Sequence, residues 1–358
     1  MVAGHRNVQN PTHKPTRGGA SPLGSASATA DGGDATRGSS ATYGPDTTHE
    51  QDVTREPESG AELRGRAGWT RHPGRAARAA VARVRRYVAG RSARYFTGIL
   101  AVALGAAILL MPSPYVIEMP GPTQDVLGSV KEGQVIAVGG KDVSTHRDFG
   151  KLLLVTVSAS GVPGYPIVNA QAVWGWADPQ VEVTPREAVV PVGQTADEYQ
   201  QKVDADMTGS QDTATKAAIA YLKAHGAELG VDAAELGNLK VTMHVDSIGG
   251  PSAGMMYTLG LIDKLTAAQE TGGKTIAGTG TISEDGAVGR IGGIRLKMLG
   301  AKRDGATWFL APESNCAEVV GHVPDGLRDV KVATLDEAYQ ALVAIGAGKA
   351  DGLPHCTA

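Results

Sequence analysis

From Phe96 to Met111 the chain carries no charged side chain: Phe-Thr-Gly-Ile-Leu-Ala-Val-Ala-Leu-Gly-Ala-Ala-Ile-Leu-Leu-Met. Continued through Pro112-Ser-Pro-Tyr-Val-Ile117, it reaches the ~20 residues an α-helix needs to cross a bilayer. Residues in front of it offer no core in which to bury such a helix. They are rich in Gly, Ser, Thr, Ala and charge and almost devoid of large aliphatics, so residues 1–75 are expected to be disordered. Arg83, Arg85, Arg86, Arg91 and Arg94 crowd the segment 76–95, whereas the first charges after the run are Glu118 and Asp125. The positive-inside rule then predicts a single-pass membrane protein with a cytoplasmic N-terminus, an anchor over 96–117 and an extracytoplasmic remainder. A cleaved signal peptide is the alternative; the small residues Ala101 and Ala103 lie inside the run and no clear cleavage site follows it, which favours retention. The formal net charge is only −3 and no basic stripe appears beyond residue 117, so no nucleic-acid footprint is expected in the folded part.

Beyond the anchor, residues 118–203 alternate short β-like runs (134–138, 152–157 and 180–183) with turn signals at Pro120-Gly-Pro-Thr123 and Gly161-Val-Pro-Gly164. Residues 204–225 read as a helix with Ala214, Ala217, Ala218 and Leu222 on one face. A further strand is expected over 307–311 and a closing helix over 335–345. The predicted class is mixed α+β, with a strand-rich segment at 118–203 and a second domain at 204–358.

The stretch with most chemical content is Gly249-Gly250-Pro251-Ser252-Ala253-Gly254. Before it, Lys240-Val-Thr-Met-His-Val-Asp246 alternates apolar and polar residues as a half-buried strand does. After it, Met255, Met256, Leu259, Ile262 and Leu265 fall at helical spacing. Strand, sharp turn and helix in succession place Ser252 at a helix N-terminus, where unpaired N–H groups and the dipole can hold a developing oxyanion. Serine is also a common N-cap, so spacing alone leaves nucleophile and cap both open. An activator is offered by Ile291-Gly-Gly-Ile-Arg-Leu-Lys297: on a helix opened by Gly292-Gly293, Lys297 sits beside the apolar face of Ile294, Met298 and Ala301. Desolvation there would favour the neutral amine, the form able to accept a proton; a lysine snorkelling to water is the alternative.

Gly250-Pro-Ser-Ala-Gly254, Gly278-Thr-Gly280, Gly286-Ala-Val-Gly-Arg-Ile-Gly-Gly293, Lys297, Pro312 and Asn315 together resemble the proteolytic domain of Lon-type serine peptidases, over roughly residues 204–345. The resemblance implies Ser252 as nucleophile, Lys297 as general base and Thr279 as the hydroxyl that aims the lysine amine, with Gly250 and Ala253 supporting the serine. Pro112-Ser-Pro-Tyr-Val, Pro120-Gly-Pro-Thr, Val126-Leu-Gly128, Val155-Thr-Val-Ser158, Trp174 with Trp176, and Met207-Thr-Gly-Ser-Gln211 resemble membrane-bound, YlbL-type Lon-like proteases of bacteria. This implies an endopeptidase acting on envelope or membrane proteins, with protein substrates and the lipid bilayer as partners and a homo-oligomer as a possible assembly. A catalytically silent scaffold of the same fold is the reading from another class.

The chain departs from that pattern in one place: only residues 227–238 separate the helix from the strand at Lys240, too few for the PDZ domain such proteins carry there. Glu132 to Val143 resembles a PDZ strand pair only superficially. Gly272-Gly-Lys-Thr275 lacks the first glycine of a phosphate-binding loop, Ala268 standing in its place, so no nucleotide and no cofactor are expected. His244 has no acidic partner at recognisable spacing, and the His and Cys residues show no metal-ligand pattern. The two cysteines, Cys316 and Cys356, read as a disulfide if the domain is exported and as free thiols if it is not.

Overall fold

The computed structural model describes residues 73–244 and 250–357. The expected disorder of residues 1–75 lies outside these except at 73–75, which open helix α1 (Pro73–Ala89). On α1 the arginines share the surface with an exposed apolar row, Val81, Val84 and Val88. Helix α2 (Ala93–Leu110) holds the apolar run and buries none of its residues against protein. Its 18 residues span about 27 Å, close to the thickness of a hydrocarbon core. The helix stops earlier than the expected 96–117. Pro112 and Pro114 cannot donate to a continuing ladder, and Tyr115 already begins strand β1 (Tyr115–Asp125).

A hairpin of β2 (Ser129–Val130) and β3 (Gly133–Gln134) leads to β4 (Ile136–Gly139), then β5 (Lys151–Ser160), helix α3 (Asn169–Gly175), β6 (Glu182–Pro185) and the short α4 (Arg186–Val189). Helix α5 (Ala196–Leu229) follows, then α6 (Ala233–Leu236) and β7 (Lys240–Met243), which pairs antiparallel with β4. Past residues 245–249 come a 3₁₀ turn (Pro251–Ala253), α7 (Gly254–Leu265), β8 (Thr275–Gly278), the antiparallel pair β9 (Thr281–Ile282) and β10 (Val288–Gly289), and α8 (Ile294–Arg303). The chain closes with β11 (Trp308–Pro312), α9 (Cys316–Val319), β12 (Arg328–Val332) and α10 (Leu335–Gly346).

Six strands form one sheet in the order β12-β11-β8-β5-β1-β6. From β12 to β5 neighbours run parallel, and β1 lies antiparallel between β5 and β6. A parallel sheet is covered on both faces, so its strands are apolar without alternation. The run Leu152-Leu-Leu-Val155 follows that rule. Leu152 and Leu154 join α5, α7 and α10 in the larger core, while Leu153 and Val155 join α8 on the opposite face.

Two expectations change as a result. The segment 118–203 is not a separate unit, because β1, β5 and β6 supply half the strands of the common sheet. The boundary at 203/204 also falls inside α5. That helix starts upstream because Thr195 and Glu198 form a reciprocal capping box, Thr195 N–H donating to Glu198 Oε2 at 2.9 Å and Glu198 N–H to Thr195 Oγ1 at 3.3 Å. Between α5 and β7 the chain forms only α6, whose N-cap is Asp232.

Candidate active site

Ser252 occupies the 3₁₀ turn immediately before α7 and is half-buried. Gly250 opens that turn with φ 89°, a conformation glycine adopts without strain. The turn is fixed from two sides. Ser210, on α5, donates its hydroxyl to the Pro251 carbonyl at 3.2 Å, and Gly280 N–H donates to the Ser252 carbonyl at 2.8 Å. Ala253 is buried, and the side chain of Ser252 caps neither the turn nor α7. The capping role left open by the sequence is therefore not the one this serine performs.

Lys297 lies on the second turn of α8, only 4 % exposed. Gly293, the residue before α8, has φ 64° and sits where a Cβ would come within 2.8 Å of Val157 Cγ2, which lets α8 pack closely on β5. The lysine therefore faces the sheet and does not snorkel. Its ammonium donates to Thr279 Oγ1 at 3.2 Å, and Thr279, itself fully buried, donates to the Ser252 carbonyl at 3.0 Å. The structure thus brings Ser252, Thr279 and Lys297 together as a chain in which the threonine hydroxyl is the middle link.

Burial pulls the Lys297 pKa down to about 8, against a smaller opposing effect of Glu118. Glu118, on β1, is itself held above the usual carboxylate range, first by burial and next by Glu182, with Lys297 acting the other way. Glu118 and Glu182 face each other across the β1–β6 register, and Arg295, two residues before the lysine, stands 3.7 Å from Glu182. Sequence reasoning misses this acidic pair because an isolated glutamate between Ile117 and Met119 looks like any polar position on a strand.

Asn315, fully buried, clamps the loop that enters α8: it accepts from Ile291 N–H at 3.0 Å and donates to the Ile291 carbonyl at 2.9 Å. His244 follows β7, its N–H donating to Val135 O at 2.8 Å and its Nδ1 lying 3.0 Å from Gln134 O. It has no acidic partner among the described residues. The expected strand over 240–246 ends at Met243, with His244 following it outside β7 and residues 245 and 246 outside the described residues.

The Gly272-Gly-Lys-Thr275 loop serves packing. A Cβ on Gly272 would meet the Gly346 carbonyl oxygen at 2.1 Å, and Lys274 donates to the carbonyl of Ile345 on α10. Gly272 is required by a backbone crossing, and the lysine is already engaged.

A second polar cluster lies where no spacing in the sequence points to it. Asp148, Asp263 and Glu270, all buried, bring carboxylate oxygens within 4.8 Å of one another. Asp148 accepts from Gly150 N–H and Thr271 N–H, both at 2.8 Å, and Glu270 from Tyr339 OH at 3.1 Å, while Asp263 Oδ2 and Glu270 Oε2 have no hydrogen-bond partner among the described residues. Burial, reinforced by the other two carboxylates, pushes Asp263 up to about 9, so it carries a proton at neutral pH. Carboxylates are the donors a hard cation takes. In the absence of a cation the proton on Asp263 relieves the repulsion among the three groups.

Comparison with known proteins fits this geometry. Residues 188–345 match the family described as the Lon protease (S16) C-terminal proteolytic domain. These residues form a Lon-type proteolytic domain. The chain is 38 % identical over 130 residues to Lon protease 1 of Sorangium cellulosum, covering 34 % of this chain and 16 % of that protein. It is 31 % identical over 145 residues to the Lon protease of Mycolicibacterium smegmatis, covering 36 % and 18 %. With the Lon protease of Porphyromonas gingivalis it shares 37 % identity over 106 residues, 28 % of this chain and 12 % of the relative. The chain therefore aligns with less than a fifth of the length of these curated relatives. The match begins at 188, ahead of residue 204 where the motif resemblance starts, consistent with the early start of α5.

Proposed function

We propose that this chain is a membrane-anchored, ATP-independent serine endopeptidase that cleaves envelope or membrane proteins with a Ser252–Lys297 dyad. The observation that carries the reading is a lysine 4 % exposed, hydrogen-bonded through Thr279 to the main chain of a serine at the mouth of a helix. Ser252 Oγ attacks the scissile carbonyl carbon as Lys297 Nζ takes the hydroxyl proton. The resulting oxyanion is held by N–H groups at the start of the turn, near Ser252 and Ala253. Collapse of the tetrahedral species expels the amine, which takes the proton from Lys297. Water, deprotonated by Lys297 Nζ, then attacks the acyl ester, and the lysine returns that proton to Ser252 Oγ as it leaves. In this structure Lys297 Nζ bonds to Thr279 Oγ1, which holds the amine beside the serine turn, and the amine moves from that bond to the Ser252 hydroxyl to take its proton. Helix α2 is the anchor, with the arginines of α1 on the cytoplasmic side and the proteolytic domain outside.

One experiment tests chemistry and sidedness together. An impermeant serine-reactive probe added to intact spheroplasts should label wild type and not Ser252→Ala. Labelling that requires lysis would place the domain inside, and equal labelling of the variant would remove Ser252 as nucleophile.

The base must be neutral to act, and Lys297 loses its proton near pH 8. The value of kcat/KM should therefore rise about tenfold per pH unit below that point and level off above it. Glu118 favours the ammonium, so Glu118→Gln should move the rising limb to lower pH. A profile unmoved in that variant, with folding intact, would detach Glu118 from the base.

A further inference from the structure

We infer that the exposed tryptophans at the C-terminal end of α3, Trp174 and Trp176, lie in the outer headgroup layer and seat the proteolytic domain on the bilayer. The inference rests on α2 being a membrane anchor. Helix α3 is tied to the end of α2 by main-chain and side-chain bonds. Asn169 N–H donates to Met111 O at 3.0 Å and Asn169 Nδ2 to Ile108 O at 2.9 Å, and Ser113 N–H donates to Ile167 O at 2.9 Å. Pro112 and Val168 form an antiparallel bridge at the same junction. The bond to Met111 O satisfies a carbonyl that the end of a membrane helix otherwise leaves unpaired, and Ile108 O gains a second donor besides Met111 N–H.

The distances leave α3 little freedom. At 1.5 Å per residue, Trp174 starts at most about 7.5 Å along the helix from Asn169. That is comparable to the polar layer that takes a bilayer from ~30 Å of hydrocarbon to ~40–45 Å in total. Whatever direction α3 takes, Trp174 stays within reach of that layer, and Trp176, just past the helix end, starts at most about 10.5 Å from Asn169. Ala172 and Gly175 turn inward and are buried, leaving Val173, Trp174 and Trp176 outward at 51 %, 60 % and 59 % exposure. An indole held this open to water is an unusual way to leave so large an apolar surface. The headgroup region takes its apolar body and its N–H together, which is why tryptophan collects there.

The patch is also ordered in advance. The Trp176 ring meets Tyr115 edge to face, with centroids 5.2 Å apart, and Tyr115 is the first residue of β1. A segment seated at the interface would thus be continuous with the sheet that carries the catalytic elements. The domain then rides at a fixed height and does not swing on a tether. Helix α3 has no charged residue, so the occupant is the interface of neutral lipid, and neither anionic lipid nor low salt should be needed.

The test uses the full chain in phosphatidylcholine nanodiscs containing lipids brominated either near the glycerol or near the bilayer centre. In one protein Trp69 and Trp308 are replaced by phenylalanine, so that only Trp174 and Trp176 emit. In a second, all four tryptophans are phenylalanine and Leu104→Trp reports on α2. Shallow bromines should quench the first protein at least about twofold more than deep ones, and the second should show the reverse order. If the Leu104→Trp protein is quenched by deep bromines while Trp174 and Trp176 are not quenched at all, the anchor stands and the seated face is wrong. The seated face is equally wrong if a second copy of the chain shields the indoles, giving blue-shifted emission without quenching. If neither protein is quenched, the anchor reading falls and this inference falls with it.

Discussion

Lys297→Met should leave a folded protein whose peptidase activity is at least about 10²-fold below wild type. In the proposed mechanism the lysine makes both proton transfers of acylation, and general acid–base catalysis by one positioned group contributes about 10²–10⁴-fold. Methionine matches the alkyl stem and removes a charge the site desolvates. Because burial lowers the lysine pKa, the unfolded chain binds the extra proton between about pH 8 and the ordinary lysine value, and stability rises with pH across that window. At pH 7 the ammonium is a cost that the methionine variant escapes, so its melting temperature should equal or exceed that of wild type. Lys297→Arg is the complementary probe: it keeps positive charge but cannot deprotonate, and it must fit a bulkier group into a site only 4 % exposed. Loss of activity with a raised or unchanged melting temperature in Lys297→Met separates chemistry from folding. Activity retained within tenfold of wild type in that variant would remove Lys297 as the base.

How far the site can be read from the sequence follows from how local each constraint is. Ser252 stands in a Gly-rich turn that opens a helix and Lys297 in the helix that follows another, and such turns are written in consecutive residues. Thr279 is placed only through resemblance, since a threonine in Gly278-Thr-Gly280 carries no spacing signal of its own. Its position between lysine and serine depends on β8 lying between β5 and β11, and β5 is more than a hundred residues away in the chain. Glu118 stays hidden for the same reason. Its partner Glu182 is reached only through the antiparallel register of β1 and β6, and its effect on Lys297 only through the packing of α8 on β1.

The fold shows the same division. Leu152-Leu-Leu-Val155 marks a strand covered on both faces, but which helices cover it is not a property of those residues. The single unit running through 118–203 and beyond is invisible in composition, because a strand does not announce whether its neighbours come from its own segment. The early start of α5 is local and readable: Thr195 and Glu198 form a capping box upstream of the apolar period that marks residues 204–225. The acidic cluster of Asp148, Asp263 and Glu270 joins a loop, the last turn of a helix and the loop after it, an arrangement that tertiary packing alone creates.

Cys356→Ser should lower the melting temperature by on the order of 5–15 °C, the second-largest effect we expect. Cys316 and Cys356 are bonded, closing a loop with a sequence separation of 40. Chain entropy alone assigns such a loop roughly 4 kcal/mol, and losing a native disulfide commonly costs about 2–5 kcal/mol. For a domain of this size one kcal/mol moves the midpoint by about 2–4 °C. The tail has other holds, which bounds the effect from above. Lys331 N–H donates to Pro354 O at 2.9 Å and Cys356 N–H to Asp329 Oδ2 at 2.8 Å, so residues 354–356 lie along β12 even apart from the sulfur bridge. Cys356 is also buried with Phe309, Val319 and Leu327 in the core beneath α8, and a serine hydroxyl there would have to be desolvated. Cys316→Ala with Cys356→Ala separates the two costs, since it removes the cross-link without burying a hydroxyl. If the bridge dominates, the double alanine variant should melt nearly as low as Cys356→Ser. If the double alanine variant melts within about 2 °C of wild type, the low end of the shift expected for a one-kcal/mol change, the hydrogen bonds along β12 hold the tail and the disulfide contributes little. Non-reducing mass spectrometry of the membrane-extracted protein should recover the Cys316–Cys356 cross-linked peptide. Free alkylation of both thiols without reductant would contradict the bond and, with it, the export of this domain to an oxidising compartment.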